Sequence, residues 1–344
     1  MCFGIPHVHG RDHKSLHAVN TASLAFRATW RPSREEAVSL RATHDHRDFP
    51  LGELAAAKRR SGLSVSVCLP ARNEEATVGH AAATLVRDLV FAHDIVDEVI
   101  VLDDGSEDRT AEAAARAGAR VVSVPEILPG VPAGSGKGNV LWRSLFVSEG
   151  DIVCWIDADI HNFDSHFVSG LLGPLLVEPG IEFVKGFYTR PLGDDPVGGG
   201  RVTELVARPL IAHLFAHALG VVQPLAGATA GRREILEGLP FVAGWGVEFA
   251  LLLEVIDRYG IGIVGQTNLG ELRHRNHPLH KLALQAAAIL TVALDRAGLK
   301  QASVCELPCY APEVGATSVE IVELPPANSV PAYCARFPAR TRSA

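Results

Sequence analysis

Two carboxylates two residues apart, Asp157 and Asp159, stand directly after the apolar run 152–156 (IVCWI). The run shows no alternation, which is the pattern of a strand buried on both faces. Carboxylates at the end of such a strand are costly to desolvate unless a cation neutralises them. In open α/β sheets ligands bind beyond the carboxyl ends of the strands, where this pair would lie. Hard oxygen ligands with water in the remaining positions suit Mg²⁺, or Mn²⁺ in its place, carrying a diphosphate. The plain alternative is a pair of turn or helix-capping aspartates.

Other stretches carry groups that could share this site. The GSGKG run at 134–138 is not a P-loop, because the spacing is wrong and Asn139 stands where a hydroxyl is needed. A glycine-rich loop entering a helix can still approach a phosphate, and Lys137 adds a point charge. After the strand pattern 64–69, Pro70-Ala71-Arg72-Asn73-Glu74 exposes an amide and a carboxylate that can read a base and a ribose, or simply cap the next helix. Arg201 and Thr203 follow three glycines near a helix start, where backbone N–H groups favour an anion. His274 to His277 (HRNH) combine a metal ligand with phosphate-binding groups, or form a solvated polar loop. Glu248 enters an apolar helix after Gly244-Trp245-Gly246, as a sugar-facing carboxylate or as a first-turn acid that suits the dipole.

The elements that must position these groups alternate from residue 63 onward. Strand patterns at 64–69, 98–102, 120–124 and 152–156 are separated by helical patterns, which implies right-handed crossovers and a mostly parallel α/β sheet. Each strand places polar residues at its C-terminal end. The second half is less regular, with strands expected at 183–186 and 261–268, a chain crossing the sheet at 223–230, and helices at 201–217, 246–259 and 280–297. Residues 1–48, rich in His, Arg and Pro, read as a poorly ordered arm whose early histidines could bind metal. Residues 300–344 read as a Pro-rich tail beyond the fold.

Composition narrows the function. The 344 residues are 47% hydrophobic and 21% charged, enough for a sizeable core. A formal net charge of −7 leaves no basic surplus for nucleic acid. No uninterrupted apolar run has the length of a membrane span, and the first residues lack the apolar segment of a signal peptide. Of six irregularly placed cysteines, Cys68 and Cys154 fall in strand patterns and Cys305 and Cys309 lack a second pair for zinc. A reducing cytoplasm is the simplest setting.

Taken in order, LPARNEEATVG (69–79), VLDDGSEDRT (101–110), GKGNVLWRSL (136–145), DIVCWIDAD (151–159), GGGRVTELVARPL (198–210), GWGVE (244–248) and NLGELRHRNHPL (268–279) resemble the bacterial glucosyl-3-phosphoglycerate synthases over residues 49–299. The resemblance implies a GT-A glycosyltransferase fold, with a nucleotide-sugar half at 49–190 and a smaller acceptor half at 191–299, usually as a homodimer. It implies glucose transfer from UDP-glucose to 3-phosphoglycerate with retention, assisted by Mg²⁺. Position by position, Pro70, Ala71, Asn73 and Glu74 resemble the uridine and ribose site, and Asp104 stands where Ser is usual. Lys137 resembles the basic residue near the diphosphate, Asp157 the sugar-facing, catalytic acid, Ala158 a further part of the nucleotide-sugar site, and Asp159 with His274 the metal ligands. Gly200, Arg201, Thr203 and Asn276 resemble the acceptor site, and Glu248 the carboxylate near the hexose.

The chain departs from the family pattern at Ala228 and Thr229, where an acid and an aromatic are usual, and at Trp245, where Tyr is common. These departures bear on donor choice and efficiency more than on fold. Two rival readings follow: a GDP-mannose-dependent mannosyl-3-phosphoglycerate synthase, and a non-catalytic nucleotide-sugar binder. For transfer with retention, front-face attack is expected, with Glu248 positioning the sugar rather than attacking it.

Overall fold

The computed structural model describes residues 40, 42–131, 134, 136–299, 304–308 and 316–338. Eight strands form one twisted sheet: β1 (Ala42–Asp45), β2 (Val65–Ala71), β3 (Glu98–Asp103), β4 (Arg120–Ser123), β5 (Ile152–Trp155), β6 (Phe183–Thr189), β7 (Thr229–Arg232) and, after the short β8 (Phe241–Val242), β9 (Val264–Glu271). Their order is β1-β9-β6-β7-β5-β2-β3-β4, and β7 alone runs against its neighbours. Strands from both sides of residue 190 therefore share the sheet.

Alternate residues of the central strands enter different cores. Cys68, Ile100, Leu102, Val153 and Trp155 pack into one face, and Val67, Leu69, Val101, Ile152 and Cys154 into the other. Both faces are covered by helices, which is why these strands carry continuous apolar runs. One detail of β2 shapes the ligand edge. Ile156 N–H donates to the Cys68 carbonyl, so the even-numbered residues of β2 face β5, yet the β2–β5 pairing ends at Cys68. Pro70 faces that same side, where no neighbouring strand is left to accept from an N–H.

Two expectations are corrected at the ends of the fold. The arm expected through residue 48 contains β1, which pairs in parallel with β9 and runs into a short helix, His46–Asp48, capped by Asp45. The early histidines lie outside the described residues. The expected C-terminal tail also returns to the fold. β10 (Val304–Pro308) and β11 (Ala316–Glu320) form a hairpin, and β12 (Glu323–Leu324) pairs with β8. Tyr333 is fully buried and its hydroxyl donates to Glu237, while Trp142 Nε1 donates to the Pro325 carbonyl at 2.7 Å. Among the described residues no helix is long and apolar enough to cross a membrane.

Candidate active site

β2, β3, β5, β6 and β9 point the same way, so their C-terminal ends open on one sheet edge. A cleft of about 540 Å³ lies along that edge. Pro70, Ala71, Glu74 and Asp104 line it beyond β2 and β3, Asp157, Ala158 and Asp159 beyond β5, and His274 and Asn276 beyond β9. Gly200, Arg201 and Thr203 also line it, with Lys137 and Glu248 in the first turns of their helices. Only Asn73 among the expected residues is not brought to the wall. It adopts a left-handed backbone (φ 57°), and its side-chain oxygen accepts from Glu107 N–H at 2.8 Å. Its side-chain oxygen thus helps to fix the turn after β3.

Lys137 is the electrostatic centre of the cleft. Its ammonium bonds Asp157 on one side and lies 2.7 Å from Glu248 on the other. Burial works against that charge, but the two carboxylates outweigh it and hold the lysine well above its ordinary pKa. Burial likewise opposes the charge on Asp157, and Lys137 overcomes it, keeping this carboxyl below the usual range. The glycines on either side of Lys137 serve packing. A Cβ on Gly138 would come 1.9 Å from the Val242 carbonyl, and one on Gly136 would come 3.0 Å from Gly244 Cα. The loop must be bare so that the helix Lys137–Val147 can seat against β8 and the Gly244–Gly246 turn that leads to Glu248.

Asp159 has no such partner. Burial, then the neighbouring Asp157, pushes its carboxyl up, whereas burial lowers the pKa of His274 toward the neutral ligand form. An isolated bridge between Ile160 and His274, with His161 N–H donating to the Arg273 carbonyl at 2.8 Å, brings the two together. His274 Nδ1 stands 3.8 Å from Asp159 Oδ2, too far for a hydrogen bond and compatible with two ligands of one ion at bonds of about 2.0–2.2 Å. Among the described residues no third His, Cys, Asp or Glu joins them as a ligand cluster. Two protein ligands completed by water and phosphate oxygens is the ordinary binding mode of Mg²⁺, so the residues fit a divalent ion that arrives with a diphosphate.

Beyond β3, Asp104 is half-buried, and burial raises its carboxyl against the opposing field of Arg72. Glu74 is pushed up to about 7 by burial and then by Asp159, although Arg275 Nη2 lies 2.8 Å from it. Beside the glycine run, Arg201 Nη2 donates to the His277 carbonyl at 2.9 Å. Glu204, the acid that could have claimed Arg201, pairs instead with Arg208 at 3.0 Å.

Three further residues escape a reading by motif. Arg190, just beyond β6, lines the cleft with its guanidinium 4.8 Å over the Tyr188 ring. Its signal was its place after a strand end, the same signal that exposed Asp157. Trp245, at a position noted only as a departure from Tyr, is half exposed on the cleft wall. Lys185 is 1% exposed and donates to the Ala226 carbonyl at 2.5 Å and to Thr229 Oγ1 at 2.9 Å. Burial lowers its pKa to about 7 against the pull of Glu248. Thr229 thus supplies the acceptor for this lysine, which gives one of the departures a local role. Ala226 leads to Gly227, where a Cβ would lie 2.1 Å from Asp157 Oδ2.

Comparison with known proteins places the chain among glycosyltransferases. Residues 66–180 match the family model for glycosyl transferase family 2. The chain is 46% identical over 292 residues to glucosyl-3-phosphoglycerate synthase of Mycolicibacterium smegmatis, covering 82% of this chain and 94% of the relative. Among solved structures it is similar to glucosyl-3-phosphoglycerate synthase of Mycobacterium tuberculosis in complex with Mn²⁺, UDP-glucose and phosphoglyceric acid. That match has a TM-score of 0.74 and 43% identity over 84% of this chain and 98% of that one. Another structure of the same enzyme holds Mg²⁺ and UDP. Mannosyl-3-phosphoglycerate synthase of Rubrobacter xylanophilus matches with a TM-score of 0.76 at 37% identity, covering 84% of this chain and 97% of that one.

Proposed function

Because the chain belongs to the glucosyl-3-phosphoglycerate synthases, glycosyltransferases of GT-A fold, we propose that it moves glucose from UDP-glucose to 3-phosphoglycerate with retention of configuration. The observation that carries this reading is one cleft that gathers all of these groups. Lys137, Asp157, Asp159 and His274 meet beyond β5, and Arg201, Thr203 and Asn276 line the same cleft. A divalent ion, Mg²⁺ or Mn²⁺, held by Asp159 and His274 would neutralise the diphosphate as it leaves. Pro70, Ala71, Glu74 and Asp104 would take the base and ribose. Lys137 adds a fixed positive charge beside the leaving group, already oriented by two carboxylates. Glu248 is committed to that ammonium, which suits a carboxylate that positions the hexose and favours positive charge at its anomeric carbon better than it suits a nucleophile. Residues 49–190 supply most of the donor side and 191–299 most of the acceptor side. A cytoplasmic homodimer belongs to the same proposal; the thiols Cys68 and Cys154 are free and buried.

The test is a donor panel of UDP-glucose, GDP-mannose and ADP-glucose against 3-phosphoglycerate with Mg²⁺ present and phosphorylated product detected directly. Glucosyl-3-phosphoglycerate from UDP-glucose is the expected product. Preference for GDP-mannose would move the chain to the mannose-using relatives, and UDP-glucose binding without transfer would make it a binding protein. Light scattering of the purified protein tests the dimer.

A further inference from the structure

Arg190 is a cation lining the cleft to which the donor chemistry assigns no role. It follows β6 directly, and its carbonyl accepts from Gly199 N–H at 2.9 Å, which ties it to the loop that carries Gly200 and Arg201. Its Nη1 lies 3.8 Å from where a Gly200 side chain would begin. Its only side-chain partner among the described residues is neutral: Nη2 donates to the Tyr188 hydroxyl at 2.9 Å, with the guanidinium stacked over the same ring. Its Nε is buried with no partner there. Asp157 and Asp159 are near enough to favour its charge, but neither forms an ion pair with it. A guanidinium held in a cleft by a phenol alone is a poor arrangement unless an anion completes it.

The proposed acceptor carries two anionic groups, a phosphate and a carboxylate, and a second guanidinium beside Arg201 could hold the one that Arg201 does not. Arg201, Thr203 and Asn276 form the anchor assigned to phosphate. We infer that Arg190 binds the carboxylate of the glycerate acceptor and makes the site selective for a phosphorylated hydroxy acid over the corresponding polyol phosphate. This rests on the acceptor reading given above and deepens it. The planar fork of arginine matches a carboxylate through two parallel bonds. Clamping both ends of the acceptor would also hold its hydroxyl in one orientation toward the sugar.

The experiment compares 3-phosphoglycerate with glycerol 3-phosphate, which keeps the phosphate and replaces the carboxylate by a hydroxymethyl group. Wild-type enzyme should prefer 3-phosphoglycerate by about 10- to 100-fold in kcat/KM, the range of one charge-assisted contact. In Arg190→Gln that preference should collapse toward unity, through lost activity on 3-phosphoglycerate, while KM for UDP-glucose stays within about twofold. Arg190→Lys, which keeps the charge and lacks the fork, should fall between, and it serves as the test should the glutamine variant not fold. Undiminished preference in these variants overturns the assignment, and so does a rise in donor KM, which would place Arg190 on the diphosphate. Wild-type enzyme that transfers to neither acceptor would instead defeat the proposed function.

Discussion

Glu248 Oε1 lies 2.7 Å from Lys137 Nζ, and the same ammonium bonds Asp157, so two carboxylates share one buried cation at the centre of the cleft. The two ends of this arrangement should respond differently to mutation. Glu248→Gln keeps the shape and leaves Lys137 paired with Asp157. It should fold normally, bind UDP-glucose with little change, and lose about 10²–10³ in kcat, the usual cost of removing one preorganised electrostatic group. Lys137→Met leaves both carboxylates without the ammonium they bond, which should cost about 3–5 kcal/mol of stability. Thermal melts together with steady-state kinetics separate the two. Near-normal turnover in Glu248→Gln would remove the carboxylate from the reaction.

The metal assignment has its own signature. Asp159→Ala should abolish both divalent-ion dependence and nearly all transfer in a protein that remains folded, because the charge on the leaving diphosphate then goes unneutralised. His274→Ala should lose less, since carboxylate and water can still hold the ion in part. Titrating Mg²⁺ into each variant with UDP present, and reading the melting temperature, follows the site without relying on turnover. Asp159→Ala with near-normal turnover in EDTA would show that the pair holds no ion.

How much of this was legible in the chain depends on burial. β2, β3 and β5 could be read because both faces are packed, which leaves an apolar run ending in polar residues. The Asp157-Ala158-Asp159 step followed from that. β1 could not be read, because the edge strand ATHD is only half-buried and has no apolar run. The C-terminal return was hidden for another reason: single anchors such as Leu324, Ala327 and Tyr333 are separated by polar and proline residues, so no periodicity announces them. Asn73 has the chemistry of a base reader, but its side-chain oxygen also holds the turn after β3, a contact no motif announces. Lys185, inside the strand FVKGFYT, looks like a solvent-facing residue until the neighbouring carbonyl and hydroxyl that bury it are known.

Lys185 carries a pH prediction. Its folded pKa is depressed from 10.5 to about 7 by burial, so between about pH 7 and 10.5 the unfolded chain binds a proton that the folded chain does not. Stability must then rise with pH across that window, and the cost of burying the charge is felt in full at and below about pH 7. Lys185→Met removes that cost and also removes a donor to the Ala226 carbonyl. The melting temperature of the variant relative to wild type should therefore be most favourable at pH 6–7 and decline as pH approaches 10. A difference that does not change with pH would show that Lys185 titrates normally.

The last prediction concerns Arg201 and the acceptor phosphate. A protein of net charge −7 holds a trianionic acceptor only if cations are concentrated locally, and the loop Gly200–Thr203 with Asn276 provides such a place. The competing role for Arg201, pairing with Glu204 on a helix surface, is worth under about 1 kcal/mol. In the structure Glu204 is engaged by Arg208 instead. Arg201 spends one Nη2 hydrogen on the His277 carbonyl, which sets its orientation and leaves its other donors for a ligand. Charge-assisted bonds contribute roughly 1.5–3 kcal/mol each, so the fork should discriminate by about 10- to 100-fold, and a lysine in its place cannot copy two parallel bonds. Wild-type enzyme should strongly prefer 3-phosphoglycerate over unphosphorylated glycerate. Arg201→Lys should lose most of that preference through a raised acceptor KM, with donor KM and melting temperature nearly unchanged. If the preference survives in Arg201→Lys, the phosphate is held elsewhere in the cleft, and the acceptor side must be reassigned even if glucosyl transfer itself is confirmed.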